Sequence, residues 1–171
     1  AINFDTRAEI VAGCFSTRPE KNQAPGDAYC IAPDRLYSDF KEMAAKEAAR
    51  PDPIDFAVIV TPNFSHYEAA KAFLEAGINV VCEKPLCFEV AQAEELQALA
   101  REKDLLFAVT YTYPGYTMSR VMKEMIAEGK IGKIAAVNAE YVQDWLINEL
   151  EPEEGAAENL SVWRKDPAVS G

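Results

Sequence analysis

Residues Phe56–Pro85 read FAVIVTPNFSHYEAAKAFLEAGINVVCEKP. Phe56–Thr61 is a continuous apolar run, the strand pattern expected where both faces of a parallel sheet are covered. Ser65-His66-Tyr67-Glu68 has the S-x-x-E spacing of a capping box, so a helix is expected to open there and Gly77 to close it. Asn79–Cys82 reads as a second buried strand, and Glu83-Lys84-Pro85 falls at its C-terminal end. Open parallel sheets build ligand sites at strand C-terminal ends, where loops and helix N-termini line a crevice. Lys84 is therefore a candidate for chemistry; the competing reading is a structural ion pair with a neighbouring carboxylate.

Outward from this stretch, strand and helix patterns alternate. Glu9–Phe15 (EIVAGCF) is a short apolar run that ends in the turn Ser16-Thr17-Arg18, with Pro19 at a first helical position. Asn22–Pro33, rich in Pro, Gly and Ala, reads as an irregular loop. Ser38 is expected to cap a helix that turns Phe40, Met43 and Ala44 inward and ends before Pro51. Glu89–Lys103 is expected to be helical with Ala91, Leu96, Leu99 and Ala100 facing in, and Leu105–Thr110 to be a strand. The alternation predicts an α/β fold with a doubly wound parallel sheet.

The texture changes at Tyr111–Tyr116 (YTYPGY), an aromatic turn broken by Pro-Gly. Ser119–Glu128 reads as a helix ended by Gly129, and Ile134–Val142 as a strand with one solvated face. A first domain over residues 1–114 and the start of a second over residues 115–171 are expected.

Composition limits the partners. The 171 residues carry a net charge of −11, with no concentration of Lys and Arg that could displace counterions from phosphates, so a nucleic-acid partner is not expected. Much of the acidity falls in Glu149–Glu158, read as a solvated loop. No apolar run reaches the ~20 residues needed to cross a bilayer, and no membrane association is expected. Cys14, Cys30, Cys82 and Cys87 read as reduced thiols of a cytoplasmic protein. With one histidine and no zinc-like spacing, no metal site is expected.

Dinucleotide folds place a Gly-rich turn after their first strand, so that backbone N–H groups can approach a pyrophosphate. No G-x-G-x-x-G occurs here. The Glu9–Phe15 segment, followed by Ser-Thr-Arg, therefore reads as a second strand. The expectation is an excerpt of a longer polypeptide whose first strand is missing.

Thr61-Pro62-Asn63 with His66, Ala76-Gly77, Glu83-Lys84-Pro85, Gly129-Lys130-Ile131-Gly132 and Trp163-Arg164 occur in an order and at spacings that resemble the glucose–fructose oxidoreductase / inositol dehydrogenase (Gfo/Idh/MocA) family. The resemblance implies an NAD(P)-binding Rossmann-type domain followed by an α+β substrate domain on an open, largely antiparallel sheet. It also implies hydride transfer between NAD or NADP and a secondary alcohol of a sugar, cyclitol or polyol, in a homo-oligomer (dimer or tetramer). It assigns Lys84 to substrate and the proton relay, Glu83 to a cofactor-side carboxylate, and Thr61, Pro62 and Asn63 to the loop along the cofactor. His66 belongs to the same motif, either touching cofactor or simply starting the helix. Trp163 and Arg164 match a loop reaching the nicotinamide side. The family's catalytic base is a histidine in a D-x-x-x-H segment, expected beyond Gly171. Thr112 and Pro114 stand where the family usually has Asn and Arg, so Tyr111, Thr112 and Tyr113 become the substrate-side candidates.

NAD enzymes usually carry a carboxylate for the ribose 2′-hydroxyl at the turn that Ser16, Thr17 and Arg18 occupy. No carboxylate occurs from Cys14 to Arg18. A hydroxyl and a guanidinium suit a 2′-phosphate, so NADP is slightly favoured over NAD; the alternative for Arg18 is a surface turn residue. Two other function classes stand beside the enzyme: a non-catalytic or regulatory nucleotide-binding protein on the same fold, and an interaction domain without cofactor.

Overall fold

The structure, a computed structural model, describes residues 7–142. The chain divides into two compact units, Ala1–Val109 and Thr110–Gly171. The division falls at the start of the aromatic turn rather than within it.

In the first unit three parallel strands, β1 (Phe56–Ile59), β2 (Asn79–Cys82) and β3 (Phe107–Val109), lie side by side in chain order. The register pairs Phe56 with Asn79 and Ile59 with Cys82, then Val80 with Phe107 and Cys82 with Val109. Parallel neighbours need crossover connections. Two helices supply them: α3 (His66–Glu75) between β1 and β2, and α4 (Val90–Glu102) between β2 and β3. Two helices precede the sheet in sequence, the short α1 (Gln23–Ala28) and α2 (Phe40–Ala48). The core joins Ala57, Ile59, Val80 and Cys82 to Met43, Ala44, Ala70, Phe73, Leu74, Leu96 and Ala100. Full burial of a side chain such as Leu74 or Leu96 contributes about 1.5–3 kcal/mol.

Gly77 closes α3 as expected. It adopts φ +82°, with its amide on the Leu74 carbonyl and the Ile78 amide on that of Phe73, a left-handed cap that glycine adopts without Cβ strain.

Several expectations are corrected. β1 is covered on one face only among the described residues: Ala57 and Ile59 are buried, whereas Phe56 and Val58 are 41% and 38% exposed. A short apolar run cannot by itself say how many faces are covered. Among the described residues Glu9–Phe15 forms no extended strand; its pairing there is one parallel bridge, Gly13 to Leu36, with a 3-10 turn at Pro33–Arg35 just before the partner residue. Asn22–Pro33 is not irregular throughout, since α1 lies within it. Asp39, not Ser38, caps α2, accepting from the Glu42 amide at 2.8 Å. Ser65 forms no capping box. It sits at helical φ/ψ at the end of a 3-10 turn, Asn63–Ser65, and its hydroxyl faces Thr61 Oγ1 at 2.7 Å and the Pro62 carbonyl at 2.8 Å. Among α4's expected inward residues, Leu96 and Ala100 are buried and Leu99 half-buried, but Ala91 is exposed.

In the second unit a 3-10 turn at Tyr113–Gly115 leads into α5 (Thr117–Ala127), which ends at Gly129 with φ +70°. The Tyr113 ring packs edge-on against Tyr116 and Tyr141, and the Tyr113 and Tyr141 hydroxyls are hydrogen-bonded. Ile134–Val142 pairs with no backbone among the described residues, so the expected strand is not formed there. The acidic segment Glu149–Glu158 lies outside the described residues. No helix among the described residues is long and apolar enough to cross a membrane.

Candidate functional site

The β1–β2 register decides which loops meet. Ile59 and Cys82 are the last paired residues, and the Glu83 amide extends the ladder by donating to the Ile59 carbonyl at 2.8 Å. Thr61 and Lys84 each lie two residues past that pair, at the C-terminal edge of the sheet where parallel folds bind ligands. Thr61, Pro62 and Lys84 are exposed; Asn63 and Glu83 are half-buried. The Lys84 ammonium makes no ion pair or hydrogen bond among the described residues, so the structural ion pair weighed for it is not formed there. An exposed, uncommitted cation beside a strand end can orient an oxygen and stabilise negative charge developing on it. The Lys84–Pro85 peptide is cis.

His66, the first residue of α3, is 0% exposed. Its Nδ1 lies 2.6 Å from the Pro85 carbonyl and its Nε2 2.7 Å from the Thr61 carbonyl. With both nitrogens committed to main chain, the ring has none left for a cofactor. Its contribution to the Thr61–Asn63 loop is the contact with the Thr61 carbonyl.

The Ser16–Arg18 turn is held by a residue that sequence reasoning did not single out. Asn22 is 3% exposed, and its Oδ1 accepts from the Phe15 and Ser16 amides, each at 2.9 Å. Its Nδ2 donates to the Ser16 carbonyl at 2.8 Å and to Ser38 Oγ at 3.0 Å. The Arg18 amide donates to Ser16 Oγ at 3.2 Å, which leaves the Ser16 O–H able to donate outward. Thr17 and Arg18 are exposed and Ser16 half-buried. The turn carries a hydroxyl at Ser16 and a guanidinium at Arg18. The signal for Asn22 was its short amide, which readily bonds backbone groups. Which amides it meets depends on the turn's folding back over it.

The thiols are free. Burial pushes Cys82 up to about 12, with the neighbouring Glu83 charge adding to it, so this thiol is a packing group and no nucleophile at neutral pH. A groove of about 420 Å³ lined by Lys41, Ala44, Ala48, Lys71 and Ala72 lies between α2 and α3 and includes neither Thr61 nor Lys84. Strand-end chemistry therefore outweighs cavity size in locating the site. Tyr111, Thr112 and Tyr113 belong to the second unit, all exposed. Trp163 and Arg164 lie outside the described residues.

Comparison with known proteins follows the same line. The profile of the oxidoreductase family with an NAD-binding Rossmann fold matches residues 1–111. The uncharacterized oxidoreductase YfiI of Bacillus subtilis (strain 168) is 37% identical over 171 residues, which cover 100% of this chain and 43% of the relative. An oxidoreductase from Sinorhizobium meliloti of known crystal structure has a TM-score of 0.71 at 48% identity, over 77% of this chain and 37% of that one. An inositol dehydrogenase homolog from Azotobacter vinelandii, crystallised with NADH and myo-inositol, has a TM-score of 0.70 at 39% identity, over 72% of this chain and 33% of that one. The chain spans less than half the length of each of these relatives.

Proposed function

This chain belongs to the oxidoreductase family with an NAD-binding Rossmann fold, and from that premise we propose that the complete protein transfers hydride between a nicotinamide cofactor and a secondary alcohol of a sugar, cyclitol or polyol. The observation that carries the reading is the juxtaposition of the Thr61–Asn63 loop with Lys84 at paired strand ends, with the Lys84 ammonium uncommitted among the described residues. The Azotobacter relative bound to NADH and myo-inositol supports the substrate class.

A bound nicotinamide supplies the hydride acceptor, or the donor in the reverse direction. Lys84 donates a hydrogen bond to the reacting oxygen and orients it. As the hydroxyl proton leaves, the ammonium stabilises the negative charge that develops there. The proton acceptor, in this reading, is a histidine further along the complete protein. Thr61, Pro62, Asn63 and Glu83 border the cofactor, and the Ser16–Arg18 turn meets the adenosine ribose. The hydroxyl and guanidinium of that turn favour NADP slightly over NAD.

The test is a panel of polyols and aldoses with NADP and NAD, read by absorbance of the reduced nicotinamide, on the complete protein. Turnover with a member of the panel, lost in Lys84→Ala while cofactor still binds, is the expected result. Cofactor binding without turnover on any member would favour a regulatory nucleotide-binding protein. Unchanged turnover in Lys84→Ala would remove that residue from the mechanism.

A further inference from the structure

Beyond the Glu83–Ile59 bond the β1–β2 ladder ends, and the two chains part into the loops that carry Thr61 and Lys84. Their main-chain carbonyls at Thr61 and Pro85 point away from any ladder partner, yet both are paired, because the buried His66 ring stands between them at 2.7 and 2.6 Å. A carbonyl oxygen accepts and never donates, so each hydrogen bond the ring makes to them uses a ring N–H. The ring has little freedom to tilt: it is fully buried and fixed at the first turn of α3. Pro85 follows Lys84 directly, so its held carbonyl anchors the chain one residue beyond the Cα that carries the Lys84 side chain. Thr61 likewise begins the loop assigned to the cofactor.

We propose that His66 is a positioning residue, a brace that sets the distance between the cofactor-side loop at Thr61 and the Lys84–Pro85 turn. It acts on the reaction through Lys84 and on cofactor binding through Thr61, touching neither substrate nor cofactor. This rests on the dehydrogenase reading of Lys84. Small displacements of a positioned group are costly in rate: about 1 Å of misplacement can remove about 10²-fold. Leucine or phenylalanine could fill the same volume but would leave both carbonyls unpaired and the two loops free to part.

The experiment is a double-mutant cycle on the complete protein with NADP and the best polyol, comparing H66F, K84A and the double variant. H66F is expected to lower kcat by about 10²-fold and to raise the cofactor dissociation constant, with H66Q, which keeps an N–H donor, recovering part of both. In the K84A background, H66F should change kcat by no more than a factor of about 2, the scatter of independent measurements. A full loss repeated in that background would mean a general fold defect and overturn the proposal. If K84A alone leaves turnover unchanged, the Lys84 reading fails separately. The brace is then decided by the cofactor dissociation constant, which supports it if raised in H66F and overturns it if unchanged. A structural readout stands apart from activity: amide hydrogen exchange at Asn63 and Lys84 should quicken in H66F. Unchanged exchange at both would overturn the brace.

Discussion

Arg35 grips Glu47 with two nitrogens, Nε on Oε1 at 3.2 Å and Nη2 on Oε2 at 2.5 Å, around a carboxylate that is fully buried. The Tyr37 hydroxyl donates to the same Oε1 at 2.8 Å. Arg35 also reaches the side chain of Asp52 at 3.2 Å and its main-chain carbonyl at 3.3 Å. These bonds fasten the segment Arg35–Tyr37 to α2. That segment holds Gly13 from both sides: the Gly13 amide donates to Arg35 and its carbonyl accepts from Tyr37. The Ser16–Arg18 turn begins three residues further on, so a buried ion pair some distance along the chain anchors the base of the proposed ribose site.

Removing one partner of a buried pair leaves the other charge stranded, a loss of about 3–5 kcal/mol. Glu47→Ala should therefore destabilise by that amount in urea unfolding. Glu47→Gln, which keeps an acceptor for Tyr37, should lose less. A change below ~1 kcal/mol for Glu47→Ala would show that Arg35 finds another partner.

Tyr37 gives the pair an alkaline signature. Burial first, then its hydrogen bond to the Glu47 carboxylate, pushes its hydroxyl up to about 12 from an ordinary 10. A raised folded-state value means that the native protein holds the proton more tightly than the unfolded chain. The associated stability is complete below about pH 10 and is lost as pH rises towards about 12. Tyr37→Phe should flatten the decline in that window relative to wild type, in thermal melts run at stepped pH. Parallel curves for the two proteins would contradict it.

Asn22 should matter to cofactor more than its distance in sequence suggests. Asn22→Leu strands the Phe15 and Ser16 amides, and each unpaired buried donor costs about 1–3 kcal/mol. Titration of the complete protein should show NADPH affinity falling at least about tenfold, with Asn22→Asp, which keeps the acceptor, affected less. Equal affinities in all three proteins would detach the turn from the cofactor.

In the proposed function it is Arg18 that separates the two cofactors. A charge-assisted hydrogen bond to a 2′-phosphate is worth about 1.5–3 kcal/mol, so Arg18→Ala should weaken NADPH by about 10- to 100-fold and leave NADH nearly unchanged. Equal weakening of both, or of neither, would leave Arg18 as a surface turn residue.

Much of the fold was legible because local rules decide it. Phe56–Ile59 and Asn79–Cys82 are short, apolar and β-branched, and Gly77 closes α3 because glycine adopts φ > 0 without strain. The expectations that failed concern choices between near-equal local options. Ser65 had a capping-box spacing, but its hydroxyl is taken by Thr61 and Pro62. Ser38 and Asp39 could each cap α2, and Asn22's hold on Ser38 Oγ leaves the cap to Asp39. Ile134–Val142 alternates as a strand should, yet alternation supplies no partner backbone.

By itself, the sequence determined the alternation of strands and helices, the family, and the position of Lys84 at a strand end, since each depends on neighbours within a few residues. The tertiary structure alone decided that Thr61 and Lys84 come level with each other. It alone decided that the single histidine is spent between their loops, and that Asn22 and the Arg35–Glu47 pair hold the Ser16–Arg18 turn from beneath. Those relations depend on strand register and on hydrogen bonds between residues far apart in the chain, and no local pattern encodes either.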